Sequence, residues 1–328
     1  MFNRAVILCA CILLITTSAA RAQGRLLYLE AQGIAGYSSA EKRMIFYSMR
    51  REDAMQKPGL GFDYLERFAG ETGDIAMIAL QARAAFDDTQ PYSTEGQVYN
   101  AYLKIKPPFA DIWMGHNRPA LGISSYLDSH SHLLPTLAMN GFGYDRDWGL
   151  GAARQFDWGD IAVSATTGSG MPIYWKGNYL TSGRVSYGVL GRDNYTVGAS
   201  GAYGQTLDTM GYHLMMPDPM AFAMGGIDYA LLWDNLEFSV EGMAGRKGDD
   251  PAYAFFFRAG INLMDESRLK LEVQPIYLKT GHEENMQLHA TVSYIASGDI
   301  KLRAMYAYDR ELRDHRVVAQ AYWYWRAL

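Results

Sequence analysis

Three groups of residues in this 328-residue chain could do chemistry by themselves. Asp128-Ser129-His130-Ser131-His132 offers two imidazoles that an extended backbone would place on one face, the arrangement a metal ion needs. Two histidines without a firm third ligand do not define such a site, and the run reads as a polar loop. A Ser/His/Asp acyl-transfer centre has the right residue types, yet no Gly-x-Ser-x-Gly elbow is present and no His is tied by spacing to a Ser. The third group, Lys42-Arg43-Met44-Ile45-Phe46-Tyr47-Ser48-Met49-Arg50-Arg51, mixes charge and apolar bulk. It fits an amphipathic surface element, a strand extension, or a loop packed on a neighbouring subunit.

Other chemistry is excluded by what the chain lacks. The only cysteines, Cys9 and Cys11, lie in the N-terminal leader, so the remainder has no disulfide, no thiolate metal site and no Cys-x-x-Cys-His for haem. Gly141-Phe142-Gly143 is a loop pair rather than a phosphate-binding loop, and no basic patch suited to nucleic acid occurs. The expectation is a non-enzyme with no catalytic residues, no cofactor and no metal.

Function must then reside in how side chains are arranged on repeated elements. Residues 1–22 read as a cleaved signal peptide. Arg4 supplies the positive region, Ala5 to Ile15 the apolar core, and Ala20-Arg21-Ala22 the small residues of a cleavage site. The mature chain is 23–328. It is rich in aromatic residues, with 23 Tyr, and in Gly, with 33, yet mean hydropathy is only −0.16. After the leader no apolar run reaches the roughly 18 residues of a membrane helix. A wall of strands that alternate apolar-out and polar-in would give this composition.

Alternating segments fall near 25–36, 58–68, 73–86, 95–106, 109–117, 147–157, 159–168, 181–191, 194–204, 221–232, 235–245, 252–262, 267–277, 286–297, 299–309 and 315–326. That is about 16 strands, and the even number suits a single-chain membrane barrel. Short links carry Gly, Asn and Asp, as in Arg192-Asp193-Asn194, Asp234-Asn235 and Ser297-Gly298-Asp299, because tight hairpins need positive φ. Long links fall near 37–57, 87–94, 118–146, 169–180, 205–220, 246–251 and 278–285. Short periplasmic turns alternating with long external loops predict one all-β domain, a transmembrane antiparallel barrel.

Parity assigns the faces. Val317, Ala319, Ala321, Trp323 and Trp325 oppose Val318, Gln320, Tyr322, Tyr324 and Arg326; Leu269, Leu271 and Val273 oppose Arg268, Lys270, Glu272 and Gln274. Lys or Arg costs about 2–4 kcal/mol on a lipid face at mid-depth, so the charged faces must point inward, where they call for water. The candidate pore-lining residues are Arg83, Lys104, Arg184, Glu237, Glu241, Arg258, Lys270, Lys301 and Arg303. Arg67, Arg268 and Arg326 join the basic set, and Glu30, Asp63 and Glu272 the acidic one. Bases outnumber acids on this wall although the chain carries net charge −5, which predicts a mild preference for anions or zwitterions.

The signal peptide, strand rhythm, loop alternation and the terminal strand Ala321-Tyr322-Trp323-Tyr324-Trp325 together resemble the Gram-negative outer-membrane porin class. The resemblance covers the whole mature chain and is architectural. The usual pattern ends in an aromatic residue, whereas this chain ends in Leu328. The resemblance implies Sec export to the outer membrane, contact with its lipids, a homotrimer, and passive diffusion of small hydrophilic solutes. It also implies that the third long loop, 118–146, folds inward as a constriction. Its candidate selectivity residues are Asp128, His130, His132, Asp145 and Arg146. The alternative is a barrel that scaffolds or sheathes a partner, such as a multihaem cytochrome or an exported polymer. A membrane enzyme and an adhesin with a plugged lumen stand behind it.

Overall fold

A computed structural model describes residues 21–46, 50–71, 73–87, 93–127 and 132–328. Asp128 and His130 lie outside the described residues, as does most of the leader. Sixteen antiparallel strands, each paired with its neighbours in sequence, close on themselves. They are β1 (Arg21–Ser38), β2 (Gly59–Gly70), β3 (Gly73–Phe86), β4 (Thr94–Ile105), β5 (Asp111–Asn117), β6 (Asp147–Phe156), β7 (Gly159–Thr166) and β8 (Tyr179–Tyr187). Then follow β9 (Tyr195–Thr206), β10 (Met220–Trp233), β11 (Leu236–Lys247), β12 (Asp250–Leu263), β13 (Leu269–Thr280), β14 (Glu283–Ile295), β15 (Ile300–Asp309) and β16 (Asp314–Arg326). Closure is the pairing of β1 with β16, from Tyr28 opposite Arg326 to Ser38 opposite Arg316. It leaves no unpaired edge, which is what lets a sheet sit in lipid.

The expected faces are the observed ones. On β16, Arg316, Val318, Gln320 and Tyr322 are buried inward, while Val317, Trp323 and Trp325 are exposed outward. On β12, Phe256 and Arg258 point in and Tyr253 and Phe255 point out. Trp323 and Trp325 stack at 6.0 Å on the outer surface near one rim, as in the aromatic belts of membrane barrels.

Two of the expected long loops are corrected to tight hairpins. Strands β11 and β12 run on through 246–251, and β13 and β14 through 278–285. Gly248 (φ +61°) and Gly281 (φ +59°) make the turns, because a left-handed position admits Gly without strain. Of the three readings of 42–51, the strand extension is the one that Arg43–Ile45 takes. Arg43–Ile45 pairs back on β1, with Ile45 buried inward and Met44 exposed.

Candidate functional site

The interior is where the loops meet the inner wall. The described parts of the link 118–146 (loop 3), 118–127 and 132–146, lie inside the barrel and touch both sides of it. Leu121, Ile123, Leu137 and Phe142 pack on Leu180, Phe222, Met224, Met243, Phe256 and Ile276, which face inward from β8 to β13. Leu133 and Leu134 pack on Ile34, Met305 and Val318 of β1, β15 and β16. Loop 3 thus crosses the lumen, held mainly by apolar burial.

Polar contacts fix its position. The Ile123 backbone N–H donates to Glu241 Oε1 at 2.8 Å, and the Gly122 N–H donates to Ser200 Oγ at 3.1 Å. Gln274 Nε2 donates to the Pro135 carbonyl at 2.7 Å, and the Arg258 guanidinium donates to the same oxygen at 3.4 Å. Tyr126 lies under the Arg184 guanidinium at 4.6 Å. The Tyr144 hydroxyl donates to the Gly168 and Leu207 carbonyls. Burial, with Asp147 close by, pushes the Tyr144 phenol up, so it remains a neutral donor.

The first loop (39–58) enters beside it, held by charge. Arg50 pairs with Asp309 at 3.3 Å and with Asp314 at 2.5 Å. Arg51 pairs with Asp208 of the fifth loop, and Asp53 with Arg316 of β16. Lys57 sits between Asp87, at 2.8 Å, and Glu95. Gln56 Nε2 donates to the His132 carbonyl at 2.8 Å, joining the two loops. Asp87, Glu95 and His213 bring ligand atoms within 4.8 Å of one another, a spacing a divalent cation would accept. The Lys57 ammonium already supplies positive charge there.

The candidate wall residues all face the lumen, in two environments. Arg83, Arg184, Glu241, Arg258 and Arg303 are buried. Arg83 donates to Gln97 Oε1 at 2.7 Å, and Arg303 to Gln320 Oε1 at 2.8 Å. Lys104, Glu237, Lys270 and Lys301 are more open; Lys270 bridges Glu237 at 2.8 Å and Glu272 at 3.0 Å. Of the loop-3 candidates, Arg146 is fully buried against Asp145 and Asn100, and the His132 side chain is exposed.

The expectation that inward charge calls for water needs correction where the loops cover the wall. There the charges satisfy one another, as buried charges must. The basic excess is also smaller than the sequence indicated. Inward-facing Glu95, Asp147, Asp160, Asp228, Asp309 and Asp314 were missed, as were Arg316 and Lys247. Asp228 sits in β10 (MAFAMGGIDYALLW), which is apolar on both faces because loop 3 covers the inner one. Alternation, the signal that reveals parity, is erased there.

A closed sixteen-stranded barrel with a loop folded across its lumen is the fold of the outer-membrane porin class. Among similar solved structures is OmpF of Salmonella typhi in complex with daunomycin, at TM-score 0.66 and 10% identity, covering 92% of this chain and 97% of that one. The anion-selective porin of Comamonas acidovorans aligns at TM-score 0.66 and 9% identity, covering 92% and 99%. The trimer form of OmpT, an outer membrane protein of Vibrio cholerae, aligns at TM-score 0.65 and 11% identity, covering 93% and 100%. No protein-family model and no curated protein matches the chain. At such identities the likeness is one of fold.

Proposed function

We propose that the protein is an outer-membrane porin through which small hydrophilic solutes diffuse passively, with a mild preference for anions, and that it is not an enzyme. The carrying observation is loop 3 crossing a closed barrel whose inner wall is charged. A wall that exchanges charged side chains for part of a solute's hydration, narrowed by an inward loop, selects by size and charge. The reading includes export by the leader, loss of residues 1–22, contact with outer-membrane lipids, and a homotrimer packed through lipid-facing strands. Asp145, Arg146 and His132 then belong to the constriction. The sheath alternative is disfavoured, because loops 1 and 3 take up the space a cytochrome or a polymer would need.

The test is single-channel conductance of the refolded protein in a planar bilayer, with reversal potentials in a salt gradient. Stable steps with an anion-favouring reversal support the reading. No conductance from a demonstrably folded barrel rejects it.

A further inference from the structure

Beyond loop 3 the barrel opens into a cavity of about 650 Å³, continuous with the rim. A chamber of about 90 Å³ lies beside it between loops 1, 3 and 5. Arg51, Asp208, Met220 and Lys247 line both, so they form the boundary between the two spaces.

Four cations border the larger space, Arg50, Arg51, Lys247 and Lys279; Lys279, opposite Glu284, is on the outward parity of β13, and the other three differ in their engagement. Arg50 is taken by Asp309 and Asp314, and Arg51 by Asp208. Lys247 ends β11 facing inward, and among the described residues no carboxylate lies within ion-pair distance of it. Its ammonium instead rests 5.2 Å from the centre of the Phe142 ring. An ammonium carries three donors, so a contact with one ring face leaves it hydrogen-bond capacity to spare.

Two features narrow what it would take. Phe142, Met216, Met220 and Leu278 give the cavity apolar surface next to the ammonium. Asp250, Glu283, Glu284 and Glu311 line the same space, so an anion enters against their field and a singly charged one does so at the least cost. We propose that this outer vestibule is a binding station for small organic monocarboxylates with an apolar body, seated carboxylate-first on Lys247. The body would lie against Phe142 and the methionines. The assignment rests on the porin reading for its place in solute passage, but binding itself does not require conduction.

The test is calorimetric titration of the refolded, full barrel in detergent micelles with benzoate, inorganic phosphate and benzylamine. Wild type is expected to bind benzoate at least tenfold more tightly than either of the other two. Lys247→Gln is expected to lose at least tenfold in benzoate affinity and Lys247→Arg to recover most of it, with the sheet circular dichroism unchanged in both. Benzoate binding that is absent in wild type, or equal in wild type and Lys247→Gln, overturns the proposal; so does phosphate or benzylamine binding as tightly as benzoate. A barrel that binds benzoate through Lys247 yet carries no current keeps this site and loses the diffusion reading instead.

Discussion

Arg184 and Asp228 form a two-point ion pair across the inner wall. Nε meets Oδ2 at 3.0 Å and Nη2 meets Oδ1 at 2.7 Å, with both side chains almost fully buried. Arg184 is on β8 and Asp228 on β10, so the pair spans the intervening strand β9 above Gly198. A Cβ at Gly198 would stand 2.5 Å from both partners, so the glycine keeps the path between them open.

Removing one partner of that pair strands a buried charge. Arg184→Ala is expected to destabilise the barrel by about 3–5 kcal/mol. The double change Arg184→Met with Asp228→Leu should cost much less. Gly198→Ala should act like a partial loss of the pair. Urea unfolding in lipid vesicles checks all three, and equal midpoints for wild type and Arg184→Ala would refute the claim.

Loop 3 depends on Gly122. Its φ is +58°, and an added Cβ would fall 1.7 Å from Glu241 Oε1, the oxygen that accepts the Ile123 N–H. Gly122→Ala should therefore push the loop off the β11 wall. The expected outcome is faster sugar influx into proteoliposomes and a larger single-channel step, with the barrel still folded. Unchanged influx would show that the loop does not limit passage.

Loop 1 is tethered mainly by charge, so it should yield to charge removal. Lys57→Met leaves Asp87 and Glu95 buried without their shared cation, at a cost of about 3–5 kcal/mol while the loop stays seated. Release of the loop relieves that cost. Conductance is expected to rise and to fluctuate between levels, and protease cleavage within 39–58 should speed up. A steady wild-type conductance would argue that loop 1 is fixed by other means.

The outer surface is predicted to behave as a lipid face. Val273 is exposed and outward near the middle of β13. Val273→Arg should cost about 2–4 kcal/mol of folding stability in bilayers, and Val273→Leu almost nothing. Equal stability of the two variants would put this face in water.

Strand existence, order and facing were legible in the sequence wherever a strand meets lipid outside and polar groups inside. The run 315–326 shows this: its period of two specifies which side chains point where, independently of the rest of the molecule. Turn residues were legible for the same local reason, as at Asn194 and Asp234, which take the positive φ their short links require. Contacts between distant segments were not. The sequence marked 118–146 as a long link but not where its leucines go: Leu121 and Leu137 meet the apolar inner faces of β8 to β13, and Leu133 and Leu134 those of β1, β15 and β16. Likewise no local pattern relates Lys57, Asp87 and Glu95, which lie on three separate stretches of chain. Burial against distant surfaces and pairing of distant charges depend on which segments meet once the barrel has closed, and no local period encodes that. The sequence by itself thus determined the wall of this protein, and only the tertiary structure decided what fills it.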